Sequence, residues 1–377
     1  MPYSGAYPFY AQHMMAGIFC ATAKLSFKAK DFEFIPVYIA QGSSKATLEA
    51  VQKLVFFEGV DLLIGMVSLK VLDDLKPILE NHQKLGLFFD FGELVPPKEG
   101  FGLNIASISM NLWQSQYALG NWAVKEFGTD GQIVSPLYET GFNLNVAFLN
   151  GAAAAGASGT AALNNFVLPE AYANSELLNL EPFFEAIDKE TPAFVHAIFT
   201  GKMGNAFLEQ WRSSKFYNTV PLTTVENMAY QDILHDVSHL GLKFYAASSW
   251  QRKSETPNNR DFVKRFEEFG KQEANVFGML GYETGLAIAT MMPFLRKGDA
   301  LAAIQFLNNQ KVIGPRGELN LQNQSSNLFP IIDINKINTN TTAINQTVVA
   351  QSSAIGFDTS TIYQETVSGW LNPYLSV

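Results

Sequence analysis

Between Ser44 and Phe89 the chain reads SKATLEAVQKLVFFEGVDLLIGMVSLKVLDDLKPILENHQKLGLFF. Its periodicity predicts helix, buried strand, glycine-bearing turn, helix and buried strand, in that order. Short apolar strands separated by helices pair as parallel sheets covered on both faces. The turn Gly65-Met66-Val67-Ser68 falls where a strand's carboxyl end meets a helix's amino end. Backbone N–H groups without intrahelical partners gather there, at the positive end of the helix dipole. Such a turn suits a small anion such as a carboxylate.

The same alternation continues along most of the chain. Strands are expected at 34–40, 61–65, 85–89, 132–136, 193–200, 220–224 and 242–247, and helices at 44–58, 69–81, 112–127, 143–155, 180–189 and 205–214. Three successive helices follow at 258–270, 275–293 and 299–308, then a short strand pair from 317–321 and 328–335. The Ala-rich GAAAAGASGTAA at 151–162 reads as a helix end, a turn and a strand. From Asn338 the tail is rich in Asn, Thr and Ser, and the aromatics of the final ETVSGWLNPYL suggest docking onto the surface.

Length and composition narrow the function classes. A chain of 377 residues exceeds what one core serves, so two domains are expected. Apolar content of 47% against 16% charged supplies those cores and excludes a disordered chain. A net charge of -9 with no Lys/Arg cluster argues against nucleic acid as a partner. The lone Cys20, in an apolar stretch, excludes an intramolecular disulfide and reads as a small buried hydrophobe. No apolar run reaches the roughly 18 residues of a membrane-spanning helix. Met1-Pro2-Tyr3-Ser4-Gly5 is neither a signal peptide nor a strand, which leaves room for a targeting segment removed ahead of it.

Four segments in this order resemble a known family. They are Pro2-Tyr3-Ser4-Gly5, the run from Gly59 to Ser68, Asn258 to Phe269 followed by Gly281-Tyr282-Glu283-Thr284, and Gly314-Pro315-Arg316-Gly317. Together they resemble the type I periplasmic binding proteins, in the leucine/isoleucine/valine-binding branch of ABC-transporter solute receptors. The resemblance implies an α/β fold of two Rossmann-like lobes, with parallel sheets flanked by helices and a three-segment hinge. Lobe 1 would take 1–108 plus 249–328, and lobe 2 would take 109–248 plus 329–377. It further implies a periplasmic receptor without catalysis, cofactor or metal. Its partners would be a small ligand (an amino acid or related metabolite) and an ABC permease. Three departures stand out: the family's first strand should precede Pro2, so that the resemblance implies upstream residues in the native gene product, its Gly-Pro turn is Gly65-Met66 here, and its second serine is Leu69.

On that template the ligand-binding candidates are Tyr3, Ser4, Gly65, Ser68, Leu69, Asp90, Phe91, Gly92, Tyr138, Glu226 and Trp250. Ser68 stands at the N-cap of the helix expected from Leu69, so its hydroxyl caps that helix, contacts the ligand, or does both. Glu226 matches the family's acid facing a ligand ammonium; without the template it reads as a surface glutamate. Asp90-Phe91-Gly92-Glu93 replaces the family's S-P-x-A-T, which disfavours a second anionic group and favours a cationic or polar ligand. Asp90 equally suits a turn residue bonded to its own loop. Tyr3, Tyr7, Phe9, Phe91, Tyr138 and Trp250 sit on strand-end loops and would line the cleft with aromatic surface.

Enzyme signatures are weak. His235 and His239 lie one helical turn apart without H-E-x-x-H, and Gly201-Lys202 is followed by Met203 rather than by a P-loop Ser or Thr. Neither G-x-S-x-G nor a strand-borne G-x-G-x-x-G occurs. Two rivals stay open: a cytoplasmic ligand-sensing regulator on the same fold, and a two-lobed α/β enzyme.

Overall fold

The computed structural model describes residues 1–24, 28–97, 100–157, 163–174, 177–319, 321, 331–352 and 370–374. Helices and strands alternate as the periodicity requires. In chain order they are α1 (Tyr10–Lys24), α2 (Ser44–Phe56), β1 (Leu62–Met66), α3 (Leu72–Asn81), β2 (Leu85–Asp90) and β3 (Ile105–Ser109). Next come α4 (Leu112–Phe127), β4 (Gly131–Pro136), α5 (Leu144–Ala154), β5 (Asn164–Leu168), α6 (Glu181–Lys189), β6 (Phe194–Ala197), α7 (Gly201–Ser213) and β7 (Leu222–Thr224). The series closes with α8 (Gln231–Val237), β8 (Lys243–Ser248), α9 (Pro257–Gly270), α10 (Val276–Leu295), α11 (Ala300–Asn308), β9 (Ile313–Gly314), β10 (Gly317–Glu318), β11 (Ile332–Thr339) and β12 (Ile344–Ser352).

Two main sheets result. The first is parallel, in the order β1-β2-β3. The second runs β12-β11-β8-β7-β6-β4-β5, parallel from β8 to β5 and extended at one edge by the antiparallel hairpin β11–β12. The mixed α/β architecture expected from the sequence is therefore present. The chain passes from the first sheet to the second at 109–112 and returns at 248–257. Leu321 still accepts from Ser107 N–H beside β3, so the third crossing lies between 321 and 332, mostly outside the described residues.

Several expectations need correction. Phe34–Ala40 is extended but is not a ladder strand. Its backbone bonds are to the first three residues: Met1 N–H to Val37 O (2.9 Å), Ile39 N–H to Met1 O (3.4 Å) and Tyr3 N–H to Ala40 O (2.6 Å). The strand pair near Gly317 is a two-residue hairpin, β9–β10, flanking the Pro315-Arg316 turn. Residues 332–335 belong instead to β11 in the other sheet, because β8 and β12 offer it full ladders. The elements α1, β3, α8 and β12 are not among those expected from the sequence. Strand β3 is IASIS, a buried strand whose two serines interrupt the apolar run.

Candidate functional site

The strand-end loops of the two sheets meet along a closed seam. Asn143, ahead of α5, donates its N–H to Glu93 O (2.7 Å), and its Oδ1 accepts from Val95 N–H (3.1 Å). On the same seam, a Cβ added to Gly201 at the start of α7 would lie 2.8 Å from Ala6 Cβ. A row of aromatic rings crosses it, running Tyr230, Tyr7, Phe277, Phe91, Tyr374, Phe142 and Tyr138 at centroid separations of 6.5, 5.0, 5.7, 6.4, 4.9 and 5.4 Å. Residues from both sheets thus form one apolar wall. It carries acids at intervals.

Of the sequence candidates, Phe91 and Tyr138 stand on this wall, whereas Tyr3 and Phe9 are largely exposed. Asp90 is buried with its oxygens occupied: Oδ1 accepts from Ser109 Oγ (2.6 Å) and Gly92 N–H (2.6 Å), and Oδ2 from Ser107 Oγ (2.8 Å). It braces its own loop, the alternative foreseen for it, and so presents Phe91. Gly92 turns that loop with φ +70°, and a Cβ there would strike the Asn111 backbone. Ser4 Oγ likewise accepts from Tyr7 N–H (3.0 Å), which fixes the approach of Tyr7 to the wall.

The expected turn at 65–68 is shifted. Gly65 and Met66 lie inside β1, and no atom outside its immediate chain neighbours lies within 4 Å of where a Gly65 Cβ would be. Ser68 stands at the expected N-cap position before Leu69, but the segment it starts, Leu69–Val71, is a 3-10 turn, and its hydroxyl makes no capping hydrogen bond. Val71 N–H bonds Ser68 O (3.0 Å) rather than the hydroxyl. Ser68 Oγ is fully buried without a partner, and Leu69 is buried beside it. The register Met66↔Phe89 sets Ser68 level with Phe91 in the row of strand ends.

Glu226 follows β7 and is buried at the crossings, not a surface residue. Its carboxylate accepts from Ser115 Oγ (2.8 Å) and Ser249 N–H (3.3 and 3.4 Å). Trp250, half-buried at the return crossing, donates from Nε1 to Asn259 Oδ1 (2.7 Å). Both border a cavity of about 170 Å³ that also meets His13, Tyr230 and Asp232. That is of the order of the ~150 Å³ that admits a benzene-sized guest. His235 lies 3.7 Å from Glu273 on an exposed helix end.

Sequence reasoning missed Glu139, Thr200, Asn227 and the residue they surround. Thr200 Oγ1 donates to Glu139 Oε1 (2.6 Å), and Asn227 Nδ2 donates to Thr200 Oγ1 (3.2 Å). All three converge on the phenol of Tyr374. Glu139 and Thr200 each lie three residues beyond a strand of the second sheet, β4 and β6, a position that marks them only once the strand order is known.

Burial dominates the electrostatics. It pushes the carboxyl of Glu93 up to about 8, with the charge of Asp90 adding to the effect. Glu139 rises to about 7 and Glu226 to about 8, again through burial, partly offset by their hydrogen-bond donors. Asp90 is raised by the same cause. A carboxyl whose folded pKa exceeds its unfolded value of about 4.3 stabilises the fold below that value. The contribution is lost as pH rises through the folded pKa. The melting temperature of the ligand-free protein is therefore expected to fall between pH 5 and pH 8, with a shallower slope in Glu139→Gln and Glu226→Gln. Scanning calorimetry across that window checks this, and an equal slope in all three proteins would contradict it.

A family model described as periplasmic binding protein matches residues 2–328. No curated protein matches the chain at the level of sequence. Among solved structures, an ABC transporter substrate-binding protein from Sphaerobacter thermophilus superposes with TM-score 0.76 at 15% identity, covering 94% of this chain and 98% of that one. A solute-binding protein of an ABC transporter from R. palustris, in complex with 4-hydroxybenzoate, gives TM-score 0.74 at 15% identity over 95% and 98%. An ABC-type branched-chain amino acid transporter from Rhodopseudomonas palustris gives 0.68 at 15% identity over 94% and 95%. These similarities extend the fold across nearly the whole chain. Among the described residues no helix is long and apolar enough to cross a membrane.

Proposed function

The chain belongs to the periplasmic binding protein family, and we propose that it is the extracytoplasmic receptor of an ABC importer for a small amine-bearing solute, an amino acid or related metabolite. The solved relatives include one bound to an aromatic carboxylate and one from a branched-chain amino acid transporter, so family alone leaves the ligand class open. The observation that carries the amine is the trio Glu93, Glu139 and Glu226, buried acids along the seam whose pKa values stand at about 7 to 8. The guanidinium acting on Asp90 and Glu226 is Arg316, which is already bonded to Glu283. An ammonium entering the seam would give a neutral acid a charged partner, and the acid would ionise. The unpartnered, fully buried Ser68 hydroxyl supports a place for an amino acid's carboxylate. Ligand contacts from both sheets would favour the closed form over the open one by their difference in affinity for the two. A permease would then recognise the closed surface.

A thermal-shift panel of amines, amino acids and aromatic acids identifies binders, because a ligand selective for the native state raises its melting temperature. Calorimetry of the best amine at pH 7, in two buffers of different ionisation enthalpy, is expected to show net proton release. Glu93→Gln should weaken that amine at least tenfold. Binding of acids but no amine would reject the ligand class. The same raised carboxyls are what an acid–base catalyst needs, so the enzyme reading keeps one specific observation in its favour. Turnover of a bound solute, assayed in the same samples, would decide for it.

A further inference from the structure

The centre of the seam is filled by a ring from the chain itself. Tyr374 is fully buried, and its phenol donates to Glu139 Oε2 (3.0 Å), stands 3.0 Å from Thr200 Oγ1 and accepts from Asn227 Nδ2 (3.3 Å). Phe91 of the first lobe and Phe142 of the second flank the ring. At its other end the backbone N–H of Tyr374 points at Glu93 Oε1 (3.4 Å), while Glu93 Oε2 is buried without a partner. Phenol, ring and nitrogen are each received by a matching group.

The rest of the segment is seated as specifically. Trp370 donates from Nε1 to Tyr138 O (2.7 Å) and from its N–H to Gly141 O (3.2 Å). Its indole occupies the space a Gly141 side chain would take. Pro373 fills the corresponding space at Gly42, whose φ of +72° disfavours any side chain there. Gly42 precedes α2 and Gly141 precedes α5, so the segment bridges both lobes.

We infer that residues 370–374 are a tethered competitor for the receptor's ligand pocket, and that the solute they exclude is a phenol-bearing amine. This deepens the receptor reading and rests on it. A free molecule seated as Tyr374 is would put its hydroxyl among Glu139, Thr200 and Asn227 and its ammonium on Glu93. It would fill a buried oxygen, Glu93 Oε2, that a neutral peptide N–H leaves unanswered. Because the competitor is covalently attached, its local concentration is set by its tether and not by supply, and the apparent affinity of any free ligand falls with the fraction of pockets left open.

The test uses tyramine and phenethylamine, which differ by the phenol hydroxyl, with the full-length chain and calorimetric titration. Tyr374→Ala is expected to bind tyramine at least tenfold more tightly than the parent chain. Gly141→Leu, which takes the space of the Trp370 indole and replaces none of the groups bonded to the phenol, should shift affinity in the same direction. Tyr374→Ala should prefer tyramine to phenethylamine at least tenfold, since loss of the hydroxyl strips the buried Glu139 Oε2 of its donor and removes one contact each from Thr200 and Asn227. Circular dichroism of both variants checks that they fold. Equal tyramine affinity in parent and Tyr374→Ala overturns the competition. Equal affinity of Tyr374→Ala for the two amines overturns the phenol. If Tyr374→Ala binds neither probe but another amine of the panel, this inference falls while the receptor stands. If no amine binds any variant, both readings fall.

Discussion

Replacing Arg316 by methionine is expected to destabilise the protein by about 3–5 kcal/mol, the cost of leaving one member of a buried ion pair alone. Glu283 is fully buried in α10, and Arg316 in the β9–β10 turn is nearly so. Arg316 Nη2 donates to Glu283 Oε2 (2.6 Å), Nε lies 3.2 Å from both carboxylate oxygens, and Nη1 donates to Ser109 O (2.8 Å). One side chain therefore ties the late hairpin and α10 to the first crossing. Arg316→Lys should recover only part of the loss, because an ammonium cannot reproduce the forked geometry. The double variant Glu283→Leu/Arg316→Met should be less damaged than Arg316→Met alone, since an apolar pair leaves no stranded charge. Urea denaturation of the four proteins measures this. Additive losses in the double variant would show that the cost comes from packing and not from the orphaned carboxylate.

How much of this was legible beforehand differs by element. Helix α4 was expected at Leu112–Phe127, the bounds found, because its long apolar pattern stops at Gly128. The alternation of α2, β1, α3 and β2 was equally readable. Strand β3 was not, since Ser107 and Ser109 look like surface residues until their hydroxyls meet the carboxylate of Asp90. That arrangement also explains why an acid follows β2: it answers two serines one strand away and a turn amide. Glu226 illustrates the converse. It follows the strand expected at 220–224, but its burial between Ser115 of α4 and Ser249 at the return crossing brings together residues 134 positions apart in sequence (249 − 115). Glu93 stood out as an acid in its loop and Glu139 did not, but the role of each depends on Tyr374 in the tail. The aromatics near the C-terminus did signal docking. What they dock into is a matter of tertiary geometry alone.

The second large effect is expected at Gly281, where valine should cost about 3 kcal/mol, the upper end for overpacking. Helix α10 is buried over most of its circumference, so it must accept α1 at close range. A Cβ at Gly281 would overlap Met14 O of α1, and one at Gly17 would overlap Gly278 O of α10. Both obstacles are backbone carbonyls, which cannot rotate aside as a side chain would. Replacing glycine by alanine in a helix gains about 1 kcal/mol of intrinsic propensity, and the gain for β-branched valine is smaller. That gain is outweighed here because relief requires moving a whole helix. Likewise a Cβ at Gly151 of α5 would overlap Tyr117 O of α4, and one at Gly120 would overlap Phe148 O. Hydrogen exchange separates the two sites. Gly281→Val should lose protection in α1 and α10 while α4 and α5 keep theirs, and Gly151→Val should do the reverse. If Gly281→Val leaves α1 as protected as in the parent chain, the two helices do not approach as closely as their glycines allow.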